Sequence, residues 1–370
     1  MSKSWLYVTD SKLSGIGIDL VTEQQLRALS EVGIPAHLVA RGKTDLSGVT
    51  TSWHPLPPTK LLSWLPSQDY YALNKRYFSR LGSSYCQRGD YAGVVAWSKT
   101  ALRVFEAAAR RGMPRLLNVG NSHRDFDSGG AAPLTRWPRI PHSRYRAEYE
   151  LASLILVASD YAAHTFVAQG LPAEKLRILY RGADTSRFSP LPDKPARPFI
   201  VASCGLLGER KGSHALLRAW RRLALPDAEL WLIGHLPDAE AALLRKLATP
   251  TVRFLGFRKD LPELLRRAHL HVLLSRNEGF AKVLLEAGAS GVPNLCTREA
   301  GLPVDAPGTI FVAERNDEDE VAAVIASCYE DPEATAALGL EARRMVEERY
   351  SWAAFRARFR QAVAEAAGAV

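Results

Sequence analysis

The amino-acid sequence predicts an α/β protein with two doubly wound domains. Short apolar runs alternate with amphipathic segments, which is typical of parallel sheets covered by helices on both faces. The alternation stops at a proline-rich stretch, residues 189–198, and then starts again. The length of 370 residues also exceeds one typical domain.

The first series predicts a domain at residues 1–185, with helices at Glu23–Val32 and Ala101–Arg111 between some of the strands. The second series predicts a domain at 196–350, and residues 341–369 predict a long amphipathic helical segment that is broken near Tyr350. The predicted strands of the first series are WLYVT (5–9), AHLVA (36–40), GVVAWS (93–98), RLLNVGN (115–121) and SLILVAS (153–159), and those of the second are PFIVASCG, AELWLIGH, VRFLGF, LHVLLS and VPNLCT.

Composition limits the classes of function. No apolar run is long enough for a membrane span, the first residues show no cleavable signal pattern, and the four cysteines fit neither a metal knuckle nor a disulfide framework. We therefore expect a cytoplasmic protein, either free or peripheral on the inner face of the membrane. The net charge of +9 admits nucleic acid, an anionic membrane or an anionic substrate as partner. No nucleic-acid motif accompanies it, so nucleic acid is not expected.

Two glutamates, Glu278 and Glu286, follow the apolar strand LHVLLS and bracket a Gly-Phe-Ala turn. Gly279 allows a ligand to approach the backbone, and the free N–H groups of a helix that begins near Lys282 suit a phosphate or a sugar oxygen. Glu286 lies among apolar residues, where a carboxylate is stable when it accepts hydrogen bonds, for instance from a diol. On spacing alone, a helix-end charge and a solvated helix face explain the pair equally well.

Two glycine-containing loops also follow predicted strands. In CGLLGERKG, Gly205 precedes Arg210 and Lys211, and cations on a glycine-rich loop that opens a helix suit a diphosphate. In SGIGIDL, Gly15 and Gly17 give the backbone room, but the loop is not a full dinucleotide fingerprint. An exposed basic turn and a plain tight turn are the alternatives.

The sequence resembles the family 4 retaining glycosyltransferases of the GT-B fold. Their donor-site signature is matched by Glu-Gly-Phe-x-x-x-Leu-x-Glu-Ala from Glu278, followed by Gly-Val-Pro. The likeness also includes SGIGIDLVTEQQLRAL, the segment ASLILVASDYAAHTFVAQGLPAEKLRILYRGADTSRFSP, GERKG, LWLIGH and VRFLGF. It implies two Rossmann-like domains that face a central cleft, the first binding the acceptor and the second the nucleotide sugar. It also implies that the terminal helix, 351–370, packs back on the first domain.

The resemblance implies a role for each residue on the second domain. Glu286 would bind the ribose hydroxyls of the donor, and Glu278 would lie by the hydroxyls of the sugar. The backbone at Phe280, Ala281 and Lys282 would contact the sugar and the diphosphate, although Ala281 stands where glycine is common.

Further roles concern the phosphates and the first domain. Lys211 matches the family lysine that stabilises the leaving phosphate, whereas Leu206, directly after Gly205, stands where the family usually has an arginine. Arg210 is the candidate replacement. Gly15 and Gly17 would approach the diphosphate and the transferred sugar, and His123 would lie near the reacting sugar.

Metal dependence is not expected, nor is any cofactor beyond the nucleotide-sugar co-substrate. Asp125 and Asp127 resemble the Asp-x-Asp of the other glycosyltransferase fold, but a lone match outside that fold indicates loop or acceptor-site acidity.

Two stretches concern the acceptor. Residues 103–146 are rich in arginine, including Arg136 and Arg139, and residues 53–81 mix aromatic and basic side chains. Such a mixture suits an anionic membrane or glycolipid, whereas a packed insertion with a solvated basic face is the alternative. The aromatic and basic residues of 53–81 are Trp53, Trp64, Tyr70, Tyr71, Tyr77, Phe78, Lys60, Lys75, Arg76 and Arg80.

Together these features predict a retaining glycosyltransferase that moves a sugar from a UDP-sugar, or alternatively a GDP-sugar, to a hydroxyl of a glycan, glycolipid or other acceptor. A nucleotide-sugar epimerase of the same fold is one alternative. A non-catalytic subunit that binds a sugar nucleotide or a membrane is the other, and Leu206 is the feature in its favour.

Overall fold

The structure, a computed structural model, describes residues 3–15, 17–54, 67–126, 141–312 and 317–368. The chain divides into two compact units. The first comprises Met1–Ala158, Ala163–Leu179 and Phe355–Val370, and the second comprises Ser159–Ala162 and Tyr180–Ala354. Residues 180–185, which the sequence-based division assigns to the first domain, thus group with the second unit.

The first unit contains a parallel sheet of seven strands. In chain order the strands are β1 (Ser4–Val8), β2 (Ala36–Ala40), β3 (Val49–Trp53), β4 (Tyr91–Trp97), β5 (Arg115–Asn118), β6 (Leu154–Val157) and β7 (Leu176–Ile178). The intervening helices are α1 (Ile18–Ser30), α2 (Ser67–Arg88), α3 (Leu102–Ala109), α4 (His142–Leu151) and α5 (Asp160–Ala168). Across the sheet the order is β3-β2-β1-β4-β5-β6-β7.

Burial explains which of these strands the sequence predicts. The central strand β1 and β6 are buried along almost their whole length, because helices cover both faces of a parallel sheet. β3, with the sequence VTTSW, is an edge strand with no buried residue, so it lacks the apolar run that marks the others. β7 has only three residues. Neither β3 nor β7 is predicted from sequence for these reasons.

The second unit repeats this arrangement with six parallel strands. They are β8 (Phe199–Cys204), β9 (Ala228–Ile233), β10 (Val252–Gly256), β11 (Leu270–Leu273), β12 (Asn294–Cys296) and β13 (Thr309–Phe311), in the order β10-β9-β8-β11-β12-β13. The helices of this unit are α6 (Ser213–Arg222), α7 (Asp238–Leu247), α8 (Leu261–Arg267), α9 (Lys282–Ala289), α10 (Glu318–Glu330) and α11 (Pro332–Arg349). The last helix, α12 (Trp352–Gly368), groups with the first unit from Phe355 onward.

Local chemistry accounts for these helices. α6 buries Leu216, Leu217 and Trp220 on one face, and its last turn carries Arg221 and Arg222, where cations stabilise a helix C-terminus. The carboxylate of Asp331 accepts a hydrogen bond from the Ala334 amide and caps α11. None of the helices in the described part of the chain combines the length and the apolar composition that a membrane span requires.

The strand order reverses at one point in each sheet, between β1 and β4 and between β8 and β11. In open α/β sheets, ligands bind at such a switch point, outside the carboxyl ends of the strands. Residues 9–17 follow β1 and residues 98–101 follow β4, while residues 205–212 follow β8 and residues 274–281 follow β11. The predicted site residues of the second unit other than Lys282 and Glu286 lie in the last two of these loops.

Candidate functional site

Close backbone contacts hold the loops at the switch point of the second sheet together. Gly212 has a φ of +72°, and a Cβ there would lie 2.3 Å from the carbonyl oxygen of Leu274. Gly234, directly after β9, has a φ of +139°, and a Cβ there would lie 1.8 Å from the carbonyl oxygen of Gly205. Only glycine permits these approaches, so the position of the Gly205–Gly212 loop is fixed by backbone packing.

Two cations and one carboxylate meet between these loops. The ammonium of Lys211 lies 2.7 Å from Glu278 Oε1, and the guanidinium of Arg210 contacts the same oxygen. The Lys211 side chain is 12% exposed, whereas that of Arg210 is 35% exposed. Burial lowers the pKa of Lys211, and the Glu278 carboxylate offsets that effect only in part. An anionic ligand can therefore replace Glu278 as the ion-pair partner of these two cations.

The second glutamate lies one to two turns into α9. Glu286 is 6% exposed, and the Lys282 ammonium, one turn earlier, pairs with its carboxylate. Burial raises the pKa of the Cys204 thiol at the end of β8, the charge of Glu286 raises it further, and Lys211 opposes both effects. The charges of Glu286 and Lys211 therefore both affect the pKa of the same thiol, at the carboxyl end of β8.

The turn before α9 is held by hydrogen bonds within the second unit. The Glu278 amide donates to the Glu299 carbonyl at 2.9 Å, and the Ala281 amide donates to the Ala300 carbonyl at 2.9 Å. Ser159 Oγ donates to the Gly279 carbonyl at 2.6 Å. Phe280 and Ala281 are both buried. The resemblance assigns the backbone of Phe280, Ala281 and Lys282 to binding of the nucleotide sugar. Of these groups, the Ala281 N–H already donates a hydrogen bond within the protein.

Sequence reasoning missed a network that supports the Arg210–Lys211 loop. His214, on the first turn of α6, has Nδ1 2.9 Å from Glu209 Oε2 and Nε2 2.7 Å from Glu240 Oε2. The Arg276 amide donates to the Arg210 carbonyl at 2.9 Å. These contacts join loops that are distant in sequence. The only sequence signal for them is that polar residues cluster after β8, β9 and β11.

The edge of the second sheet also exposes two apolar side chains. Leu206, at the position where the resemblance leads us to expect an arginine, is 47% exposed, and Phe257, directly after β10, is 74% exposed. The guanidinium of Arg210, four residues after Leu206, contacts the Glu278 carboxylate. This loop therefore carries an arginine side chain at the site although residue 206 is a leucine.

In the first unit, the loop after β1 is tied to α1. Gly15 and Gly17 have φ values of +72° and +59° and are exposed. The Gly15 amide donates to Glu23 Oε1 at 3.1 Å, and Asp19 accepts from Ser11 Oγ at 2.6 Å. Burial acts to raise the pKa of Asp19, but hydrogen bonds from Ser11 and Ser14 outweigh it and hold that pKa below its ordinary value.

His123 lies in an aromatic cluster of the first unit. Its side chain is buried, and its ring centroid lies 5.0 Å from those of Tyr149 and Phe166. The Asp125 amide donates to its Nδ1 at 3.1 Å, and burial lowers the pKa of the ring. These contacts fit a structural histidine, and its contact with a sugar stays a prediction.

The acidic pair after β5 is only partly described. Asp125 accepts a hydrogen bond from Arg146 Nε at 3.0 Å and pairs with His142, whereas Asp127 lies outside the described residues. No group of three or more histidine, cysteine, aspartate or glutamate side chains could hold a metal ion within the described ranges.

The aromatic and basic stretch of α2 needs correction at two positions. Phe78, which the sequence also suggests for a membrane-facing surface, is fully buried because it belongs to the apolar core. Lys75, which the sequence suggests for a membrane-facing surface, is buried, and its ammonium lies 2.5 Å from Asp10 Oδ1. The prediction for Lys75 is wrong because a contact with a residue so distant in sequence leaves no local signal. α2 does expose Leu73, Arg76, Tyr77 and Arg80. Trp64, Lys60, Arg136 and Arg139 lie outside the described residues.

Comparison with known proteins supports the sequence resemblance. Residues 197–331 match the family model of group 1 glycosyl transferases. The chain is 29% identical over 245 residues to the GDP-mannose-dependent monoacylated alpha-(1-6)-phosphatidylinositol monomannoside mannosyltransferase of Corynebacterium glutamicum, a match that covers 58% of this chain and 64% of that protein. It is 31% identical over 208 residues to the D-inositol 3-phosphate glycosyltransferase of Corynebacterium kroppenstedtii, covering 49% and 46%. The chain thus spans less than two thirds of each relative.

Solved structures show the fold. Sucrose-phosphate synthase from Thermosynechococcus elongatus superposes with a TM-score of 0.78 at 18% identity, covering 100% of both chains. Anabaena Alr3699/HepE, solved in complex with UDP and glucose, gives a TM-score of 0.71 at 18% identity and covers 98% of this chain and 99% of that one. With its two Rossmann-like units of parallel sheet and helices, the chain has the GT-B fold.

Proposed function

We propose that the chain is a family 4 glycosyltransferase that moves a sugar from a nucleoside-diphosphate donor to an acceptor hydroxyl with retention of configuration. The observation that carries the proposal is the meeting of Lys211 and Arg210 with Glu278 at the switch point of the second sheet. Cations at this position suit a diphosphate, and the buried Glu286 suits the ribose hydroxyls.

The proposed chemistry follows from the charges. As the bond between the sugar and the phosphate breaks, negative charge develops on the leaving phosphate, and Lys211 and Arg210 stabilise it. The acceptor hydroxyl attacks the same face of the sugar and gives its proton to a phosphate oxygen. The new glycosidic bond replaces the broken bond, so no covalent nucleophile is needed. Glu278 and His123 are proposed to position the sugar.

The base of the donor is either uracil or guanine in this proposal. The corynebacterial mannosyltransferase is named as GDP-mannose-dependent, and the Anabaena structure contains UDP. Both classes of donor therefore belong in the first assay.

The proposed acceptor is a glycan or a glycolipid. The corynebacterial relatives are named for a phosphatidylinositol monomannoside and for D-inositol 3-phosphate. For a membrane-borne acceptor, we propose that α2 contacts an anionic membrane surface, since Leu73 and Tyr77 are exposed beside Arg76 and Arg80.

One assay tests the function. The protein is incubated with UDP- and GDP-sugars, each with and without a panel of acceptors, and Lys211→Met serves as the control with reduced turnover. We expect nucleotide release that depends on an acceptor. An isomerised sugar without transfer would indicate an epimerase. Nucleotide binding without any turnover would indicate a binding subunit, and either result would refute the proposal.

A further inference from the structure

A second basic site lies in the first unit, between α2, the start of α3 and α4. It is a cavity of about 390 Å³ with three cations and no acidic side chain among the described residues that line it. Its lining residues are Ala72, Lys75 and Arg76 from α2, Leu102 from α3, and Pro141, Ser143, Arg144 and Ala147 from α4 or its start.

The cations differ in how far they are already neutralised. Lys75 pairs with Asp10 at 2.5 Å. Arg144 Nε is buried without a hydrogen-bond partner in the described part of the chain and lies 3.7 Å from Glu148 Oε1, a loose pair. Arg76 is exposed and forms no ion pair with any described residue. Burial lowers the pKa of Arg144 most and the Glu148 carboxylate opposes it, while Arg76 and Arg103 add to the lowering and Glu106 opposes them. The cavity therefore has positive charge in excess.

The walls of the cavity are attached to the switch point of the first sheet. Asp10, the partner of Lys75, follows β1 by two residues, and Lys99 follows β4 by two residues. Arg144 Nη2 donates to the Lys99 carbonyl at 3.1 Å and to Ser79 Oγ at 3.0 Å. These bonds hold Arg144 beside the edge of the sheet where a ligand of this fold class binds.

We propose that this cavity binds a phosphate group, and that the phosphate belongs to the acceptor. Arg76 and Arg144 supply charge-assisted hydrogen bonds, for which guanidinium geometry matches phosphate oxygens. The apolar walls at Ala72, Leu102 and Ala147 accommodate the carbon skeleton next to the phosphate. The inference rests on the proposed function, and it narrows the acceptor to a phosphate-bearing molecule, either a soluble sugar phosphate or a phospholipid headgroup.

Calorimetry with glucose 6-phosphate, with glucose as the uncharged comparison, tests the soluble source. Co-sedimentation with phosphatidylglycerol vesicles tests the lipid source. Arg76→Ala removes an exposed charge, and Ala147→Leu fills the cavity without changing its charge. Arg88→Ala removes an exposed arginine of α2 that does not line the cavity.

We expect the wild type to bind one of the two phosphate probes and not glucose. Arg76→Ala should weaken that binding by about 10-fold or more, the effect of losing one charge-assisted contact. Ala147→Leu should also weaken it, because the larger side chain occupies space that the ligand needs. Arg88→Ala should bind like the wild type. The inference is overturned if neither probe binds, if Arg88→Ala loses as much affinity, or if Ala147→Leu has no effect.

A donor-side measurement separates this inference from the proposed function. Titration of the same protein with UDP and GDP reports the second unit alone. Nucleotide binding without binding of either phosphate probe refutes the phosphate site and leaves the transferase proposal intact. Phosphate binding without nucleotide binding or turnover refutes the transferase proposal and, with it, the assignment of the phosphate to an acceptor.

Discussion

Lys211 Nζ lies 2.7 Å from Glu278 Oε1, so a carboxylate of the protein neutralises this cation before any ligand binds. Arg210 contacts the same oxygen. A diphosphate at this site would have to take both cations from Glu278. The free energy of donor binding is then the difference between the ion pairs with the diphosphate and the ion pairs with Glu278. In the transition state the phosphate carries more charge, so the two cations stabilise it more than they stabilise the ground state.

The first prediction concerns turnover. Lys211→Met should lower kcat by about 10²–10³-fold, the usual effect of removing one electrostatic contact to a developing charge. The dissociation constant of the nucleotide should change much less. In the ground state, the ion pair between Lys211 and the phosphate is offset by loss of the ion pair between Lys211 and Glu278. Steady-state kinetics and calorimetry measure the two quantities. An equal loss in both would assign Lys211 to binding alone.

The second prediction concerns alkaline pH. Burial lowers the pKa of Lys211 from its ordinary value of 10.5, so the ammonium loses its proton at a lower pH than an exposed lysine does. The alkaline fall of kcat/KM should therefore occur below pH 10.5, the ordinary pKa of a lysine. Lys211→Arg keeps the charge to higher pH and should move the fall upward, even where its maximum rate is lower. An unchanged alkaline limb in this variant would show that another group titrates.

The third prediction concerns the nucleotide. Glu286→Gln should weaken binding of the nucleotide by about 5-fold or more, since the amide still accepts a hydrogen bond from a diol but loses the charge that strengthens it by about 1 kcal/mol. The amide is close in size to the carboxylate, so the buried site stays filled. Glu348→Gln, an exposed glutamate of α11, is the matched control. If calorimetry gives the same affinity for Glu286→Gln and the wild type, Glu286 does not contact the ribose.

The fourth prediction concerns metal ions. Because the proposal assigns the phosphate charge to Lys211 and Arg210 and not to a metal ion, activity should survive EDTA. The assay compares rates before and after chelation and after addition of manganese or magnesium. Complete loss that either metal restores would instead make Asp125 and Asp127 metal ligands.

The fifth prediction concerns the membrane. Vesicles with anionic lipid should bind the protein more strongly than neutral vesicles, and salt should reduce the difference, because each lysine or arginine near an anionic leaflet contributes about 1 kcal/mol. Leu73→Ser with Arg80→Glu should reduce binding to anionic vesicles without changing nucleotide affinity. Lys246→Glu, an exposed lysine of the second unit, controls for total charge. Equal binding of the wild type to both kinds of vesicle would refute the role of α2.

The sequence predicts most of the fold because each buried strand of a parallel sheet has its own apolar run. All six residues of β8 are buried, so its apolar run predicts a strand without reference to any other part of the chain. The same local signal is missing from β3, whose edge position requires no apolar residue.

The candidate site is less predictable because its contacts connect distant positions. The spacing of Glu278 and Glu286 suggested a ligand, but it did not show that Glu278 holds Arg210 and Lys211. The position of His214 between Glu209 and Glu240 likewise depends on how α6 and α7 pack. Lys75 was misassigned for the same reason, since its partner Asp10 belongs to another loop.

The contact between Gly234 and the Gly205 carbonyl also has a consequence for laboratory evolution of this protein. Any side chain at Gly234 would displace the loop that carries the two cations, so random libraries that include this position should yield mostly inactive clones. Leu206, which lies in that loop, and Phe257 are both exposed, so their side chains can be replaced without a backbone collision of this kind. A library confined to Leu206 and Phe257 should therefore keep more folded clones than a library that includes Gly234.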